Sequence, residues 1–147
     1  MKKIVNLLLI VGVSFLIVHI VLASNHSVSS GIAVYAESTS PILKYALLDS
    51  NSFGAEQSAP TIGKGTIEWV KTKSSTNNYT AVAVLDSEGD ILLNLYNSHD
   101  NTWGTWLDVA SIGTTNDNFR GFDLAIEQTS GNFLVVYEKD DITDRNL

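Results

Sequence analysis

The sequence predicts an all-β fold of antiparallel strands grouped into four-stranded units of about 50 residues. Three observations carry this: an internal similarity at a spacing of 49 to 50 residues, short apolar segments separated by turn chemistry, and no amphipathic helical period after residue 24. The stretch Gly31–Leu48 aligns with Thr80–Asn97 at an offset of 49, which brings Glu37 onto Asp86, Ile42 onto Ile91 and Leu43 onto Leu92. At an offset of 50, Phe53-Gly54 falls on Trp103-Gly104 and Ile62-Gly63 on Ile112-Gly113. A third copy begins later. Residues Ile67–Val70 align with Phe122–Ala125 at 55 and Asn78-Tyr79 with Asn132-Phe133 at 54, with Thr114–Asn118 taken as a loop insertion.

The elements follow in order. In the one complete unit the strands are expected at about 66–72, 80–86, 91–97 and 103–109. Between them, Lys73–Asn78, Ser87–Asp90 and Ser98–Thr102 supply the Ser, Asn, Asp and Gly that tolerate turn geometry, and Glu88-Gly89 reads as a hairpin tip. Strands wetted on one face alternate apolar and polar, whereas Ala81–Leu85, Ile91–Tyr96 and Phe133–Tyr137 are almost continuously apolar, as strands covered on both faces are. Four strands and about 40–50 residues per unit are the dimensions of a propeller blade. The expected architecture is therefore an incomplete β-propeller, with an open β-sandwich as the alternative. Units are expected at 31–63, 64–113 and 114–140, preceded by a lead-in at 24–30 and followed by a tail at 141–147. Such a set falls short of the roughly four blades that a closed ring needs. The chain is thus expected to be part of a longer protein, to assemble with other copies, or to settle as an open sandwich.

Residues 1–23 carry the address. Lys2 and Lys3 precede an apolar run from Ile4 to Leu22 without a formal charge, and Val21 and Ala23 stand at −3 and −1 of a cut before Ser24, which reads as a secretory signal peptide. The run is close to the roughly 20 residues that span a bilayer, so an N-terminal membrane anchor is the alternative. Either places the rest of the chain outside the cytoplasm, extracellular or at the cell surface. His19 lies inside this run and is given no role. Residues 24–147 hold seven Lys+Arg against sixteen Asp+Glu, a net charge of −9, which opposes nucleic-acid binding. The absence of Cys removes disulfides, thiolate metal sites and a cysteine nucleophile.

The run from Ile67 to Val109, followed by Phe119–Glu138, resembles the repeat of large secreted prokaryotic proteins with propeller-like folds. Asp123, Ala125, Glu127, Ser130, Gly131, Leu134, Val135 and Val136 match the D-x-A-x-E-x-x-S-G-x-x-L-V-V strand pair of that repeat in order. A more distant similarity is to the Asp-box of sialidase-type propellers. Ser98, Asp100, Gly104 and Trp106 have its residue types, with two additional residues between Asp and Gly. The first resemblance implies a non-enzymatic surface recognition or scaffolding module, with a glycan or another surface protein as partner; the second implies, as the alternative, a fragment of a glycan-processing enzyme. A sialidase needs an arginine cluster, and only Arg120 and Arg145 are present.

Candidate sites are few. Asp86, Glu88 and Asp90 bring three carboxylates into five residues but lack the remaining ligands of a calcium loop, so no metal is assigned. Asp140, at the end of the last unit, and Asp141 and Asp144, in the expected tail, add no motif. Trp69, Trp103, Trp106, Tyr96 and Phe53 are the aromatic faces available for stacking on a sugar. Phe53 and Trp103 occupy equivalent positions, as packing residues do, while Trp106 has no aromatic counterpart and is the candidate ligand contact. His26 and His99 stand in polar loops away from any catalytic motif. The carboxylate pairs Glu68/Asp123 and Glu127/Glu138 are the available pairs for glycoside hydrolysis. No catalytic residue and no cofactor is assigned.

Overall fold

The structure, a computed structural model, describes residues 17–22, 31–37, 39–49, 52–113, 121–127 and 129–138. It is all-β, with no helix among the described residues, and consists of antiparallel sheets none of which closes on itself. The N-terminal sheet runs β1 (Ile17–Leu22), β2 (Gly31–Ala36), β3 (Leu43–Asp49), with the short β4 (Ser52–Phe53) and β5 (Gln57–Ser58) both paired to β3. The middle sheet runs β6 (Ile67–Ser74), β7 (Tyr79–Asp86), β8 (Asp90–Asn97), and β8 carries both β9 (Thr102–Trp103) and β10 (Leu107–Ser111) on its far edge. The C-terminal sheet is the hairpin β11 (Phe122–Ile126) and β12 (Phe133–Tyr137).

These sheets stack through two hydrophobic cores. Between the N-terminal and middle sheets, Ile32, Val34, Leu43 and Tyr45 meet Val70, Val82, Val84, Leu92 and Tyr96. Between the middle and C-terminal sheets, Ala81, Ala83, Leu85 and Ile91 meet Phe122 and Leu124. Successive residues of β7 therefore serve alternate cores, and every residue after Tyr79 in that strand is buried. This is the physical meaning of its unbroken apolar run, since both faces of the pleat are covered.

The middle and N-terminal sheets share several local arrangements. Gly54 N–H donates to Leu47 C=O at 2.8 Å, and Gly104 N–H donates to Leu95 C=O at 2.9 Å. Each follows an aromatic residue paired with the preceding strand, Phe53 opposite Leu48 and Trp103 opposite Tyr96. Gly63 and Gly113 both have left-handed φ, +73° and +84°, after the buried Ile62 and Ile112. Gly89, at φ +82°, ends the three-residue turn after Asp86, and a Cβ there would stand 1.8 Å from Gly113 O, so only glycine fits.

Two sequence-based expectations change. The strand expected at 103–109 is split into β9 and β10, because the chain turns a corner at Gly104 and returns to β8 only at Leu107, with a bulge between Asp108 and Ala110. The residue that stands to Ala36 as Ile91 stands to Leu85 is Leu43, not Ile42. Six residues separate Ala36 from Leu43 but only five separate Leu85 from Ile91, so an alignment at constant offset slips by one across the turn.

The end of the apolar N-terminal run is a strand here. Ile17–Leu22 pair antiparallel with Gly31–Ala36, and β1 also lies against β6. Among the described residues no helix is long and apolar enough to cross a membrane. The cut before Ser24, the lead-in at 24–30, the insertion Thr114–Asn118 and the tail at 141–147 lie outside the described residues, as do the rest of the signal or anchor segment and His26.

Candidate functional site: a cleft between two sheets

A cleft of about 350 Å³ opens between the N-terminal and middle sheets, where β3, β6 and β8 end and β2 and β7 begin. Gly31, Ile32, Leu47, Leu48 and Asp49 form one wall; Ser74, Ser75, Asn78, Tyr79 and Thr80 form the other, with Tyr96, Ser98 and Asn101 contributed by β8 and its turn. The lining is rich in hydroxyl and amide groups, with one carboxylate and no Lys or Arg. That chemistry is unsuited to an anion and suited to a neutral ligand rich in hydroxyl groups.

Local hydrogen bonding fixes the walls. Ser75 N–H donates to Tyr79 C=O at 2.7 Å, and Ser75 Oγ accepts from the backbone N–H of Asn77 at 3.1 Å, which closes the β6–β7 turn. Asn78 takes left-handed φ (+64°) there, a conformation Asn adopts more readily than most residues. Its carbonyl accepts from both the backbone N–H and the hydroxyl of Ser98, at 2.8 and 3.0 Å, so the two turns on this side are tied together. Tyr96 OH donates to Asn101 Oδ1 at 2.8 Å, and Ser74 and Thr80 share a hydrogen bond of 2.8 Å between their hydroxyls. Tyr79 stands at the mouth with 41% of its surface exposed, leaving an aromatic face for an apolar ring surface. Burial raises the Tyr96 hydroxyl above its usual pKa, so it remains a donor across the physiological range.

Of the aromatic residues singled out in the sequence, Tyr96 lines this cleft and the others lie elsewhere. Trp103 packs edge-on against Tyr45 at 5.3 Å and against Tyr96 at 5.2 Å, joining the two sheets. Trp106 packs against the same core and donates its indole N–H to Pro60 C=O at 2.9 Å. Trp69 packs against the second core. Phe53 is 43% exposed on the N-terminal sheet.

The carboxylates serve local structure. Asp86 is fully buried, and its Oδ1 accepts from the N–H groups of Glu88 and Asp90 at 3.0 and 2.8 Å, clamping the turn. Asp90 instead pairs with Lys64 at 2.9 Å, and that ammonium lowers its pKa. Lys64 also reaches Asp108 at 3.1 Å. Among the described residues no group of three His or acidic side chains is placed to hold a metal ion. Glu127 lies opposite Asn132 at the turn of the β11–β12 hairpin, while Glu138 lies opposite Gly121 at its other end. Six residues of strand put them about 20 Å apart along the hairpin, well beyond the roughly 5–9.5 Å of a glycosidase pair. Asp123 pairs with Lys71 at 2.9 Å, which lowers its pKa, and also accepts from Leu124 N–H. On the N-terminal sheet, Tyr35 OH donates to the Glu56 carboxylate, and burial followed by that bond pushes the Tyr35 pKa to about 12.

Residues from Gly31 to Asn101 contribute to the cleft, and no spacing motif links them; stacking alone brings them together. Comparisons with protein-family models, curated proteins and solved structures find no match to this chain.

Proposed function

We propose that this chain is an exported, non-enzymatic β-repeat module of propeller type, acting in recognition or scaffolding at the cell surface. Its sheets are units of one kind that stack face to face, and the cleft between the first two takes an uncharged, polyhydroxylated ligand of glycan type. The observation that carries the reading is the construction of the cleft: its two walls belong to different sheets, so the binding surface exists only where units stack. Support for like units comes from the matched Gly54 and Gly104 corners, the Ile62-Gly63 and Ile112-Gly113 pairs, and a middle sheet buried on both faces. Export rests on the basic start and apolar run of residues 1–23. Cleavage before Ser24 would remove β1 and leave β2 as an edge strand.

The test is binding of the full chain to a glycan array, repeated with Tyr79→Ala. The expected outcome is selective binding to neutral sugars, weakened about tenfold or more by a substitution at an exposed residue that leaves the cores intact. A folded chain that binds no glycan, or binds equally well without Tyr79, would contradict the reading.

A further inference from the structure

The two junctions of the stack are covered unequally. At the first, Tyr45 of β3 meets Trp103 at 5.3 Å, and Leu47, Trp103 and Trp106 all pack against the same core, so β9 and the corner after it close that junction. At the second, the residues of the middle sheet corresponding to Tyr45 and Leu47 are Leu93 and Leu95. Tyr45 pairs with Gln57 as Leu93 pairs with Leu107, and the corner glycines Gly54 and Gly104 bond to Leu47 and Leu95 respectively. The C-terminal sheet has only β11 and β12 among the described residues, and Leu95 and Leu107 are left 36% and 61% exposed.

Among the described residues no strand pairs with the edge of β12 on that side. Glu127 N–H donates to Asn132 C=O and Glu138 N–H to Gly121 C=O, each across the hairpin. By the alternation of an antiparallel ladder, Leu134 and Val136 turn their backbone groups toward β11, while Phe133, Val135 and Tyr137 turn theirs outward. Among the described residues the outward amides of β12 thus have no strand beside them, and Leu95 and Leu107 stand exposed on the middle sheet.

We propose that the outer edge of β12, with Leu95 and Leu107, is a docking site for a β-hairpin of a partner polypeptide: a strand with alternate apolar residues leading into an aromatic–glycine corner. The partner's chemistry is read from the first junction, where β8 and its Trp103-Gly104 corner fill the equivalent place. Backbone pairing to β12 supplies affinity, and the apolar side chains over Leu95 and Leu107 supply specificity. A second copy pairing through its own β12 does not fit. The two-fold axis of such a pair is perpendicular to the sheet, so both middle sheets would lie on one side with their overhanging β8 and β10 strands in the same space. The inference rests on reading the sheets as like units.

The test titrates the full chain into a dye-labelled peptide with the sequence of residues 90–106, followed by fluorescence anisotropy. Saturable binding is expected. Leu107→Asp should weaken it about tenfold or more by setting a charge in the apolar contact. Val135→Pro should do the same by removing an outward amide, a change that an edge strand tolerates. Should Val135→Pro lose its β-sheet circular dichroism, Leu107→Asp at its exposed site decides alone. No binding by the folded chain, binding indifferent to Leu107→Asp, or a dimer seen by sedimentation that Val135→Pro dissolves would overturn the proposal. None of these outcomes touches glycan binding at the other junction, so the two readings fail separately.

Discussion

β7 and β12 have nearly the same kind of sequence and different fates. Ala81–Leu85 and Phe133–Tyr137 are both unbroken apolar runs, yet the first is wholly buried while the second leaves Leu134, Val136 and Tyr137 exposed. An apolar run states what a strand requires on its two faces. Whether the requirement is met depends on a neighbouring sheet, and among the described residues β7 has one on each side whereas β12 has one side covered. β12 has the composition of a strand covered on both faces, and among the described residues one of those faces is bare.

The largest effect that would break or confirm this contrast is a charge placed in each strand. Val84→Asp puts an unpaired carboxylate between two stacked sheets and should unfold the chain, a cost of several kcal/mol. Val136→Asp, on the bare face of β12, should change stability by no more than about 0.5 kcal/mol. Equal losses in urea denaturation would refute the difference in burial.

A second contrast compares the two aromatic–glycine corners. Trp103→Ala removes a ring held between Tyr45 and Tyr96 and should cost about 3 kcal/mol. Phe53→Ala removes a ring from the N-terminal sheet's exposed surface and should cost below about 1 kcal/mol. Similar costs, read from thermal unfolding, would mean that Trp103 does not bridge the sheets.

The smallest effect is electrostatic. Lys71 on β6 and Asp123 on β11 link the middle and C-terminal sheets, and the Lys71 ammonium holds the Asp123 carboxyl below its usual pKa of 3.8. A carboxyl lowered in the folded state stabilises above its unfolded pKa and ceases to do so as pH falls through the folded value. The link should be intact at pH 5 and above and fade below about pH 4. Because the Asp123 side chain is mostly exposed, the loss should be at most about half a kcal/mol and should vanish in 1 M salt. Asp123→Asn should remove the pH dependence of the junction.

Much of the sheet order was legible in the sequence because it depends on local chemistry. The turns at Asn78 and Gly89 occur where turn residues cluster, and β6, β7 and β8 lie within two residues of their expected bounds. The register of β3 was not legible, since it depends on a turn whose length differs by one residue between the two sheets. Nor was the cleft. Asp49, Ser74, Tyr79 and Asn101 have no common motif, and they become neighbours only through the packing of one sheet against another. Trp106 lacks an aromatic counterpart in the first unit, but sequence alone does not show that Pro60 takes its N–H.

The middle sheet is enclosed on both faces, whereas among the described residues the C-terminal sheet is open along β12. Native-state hydrogen exchange, followed amide by amide in NMR spectra, tests this contrast most directly. The amides of Val82, Val84 and Leu85 should exchange only through global unfolding, and those of Phe133, Val135 and Tyr137 should exchange orders of magnitude faster, close to the rate of open chain. Protection of the β12 edge amides equal to that of β7, or rapid exchange within β7, would contradict it.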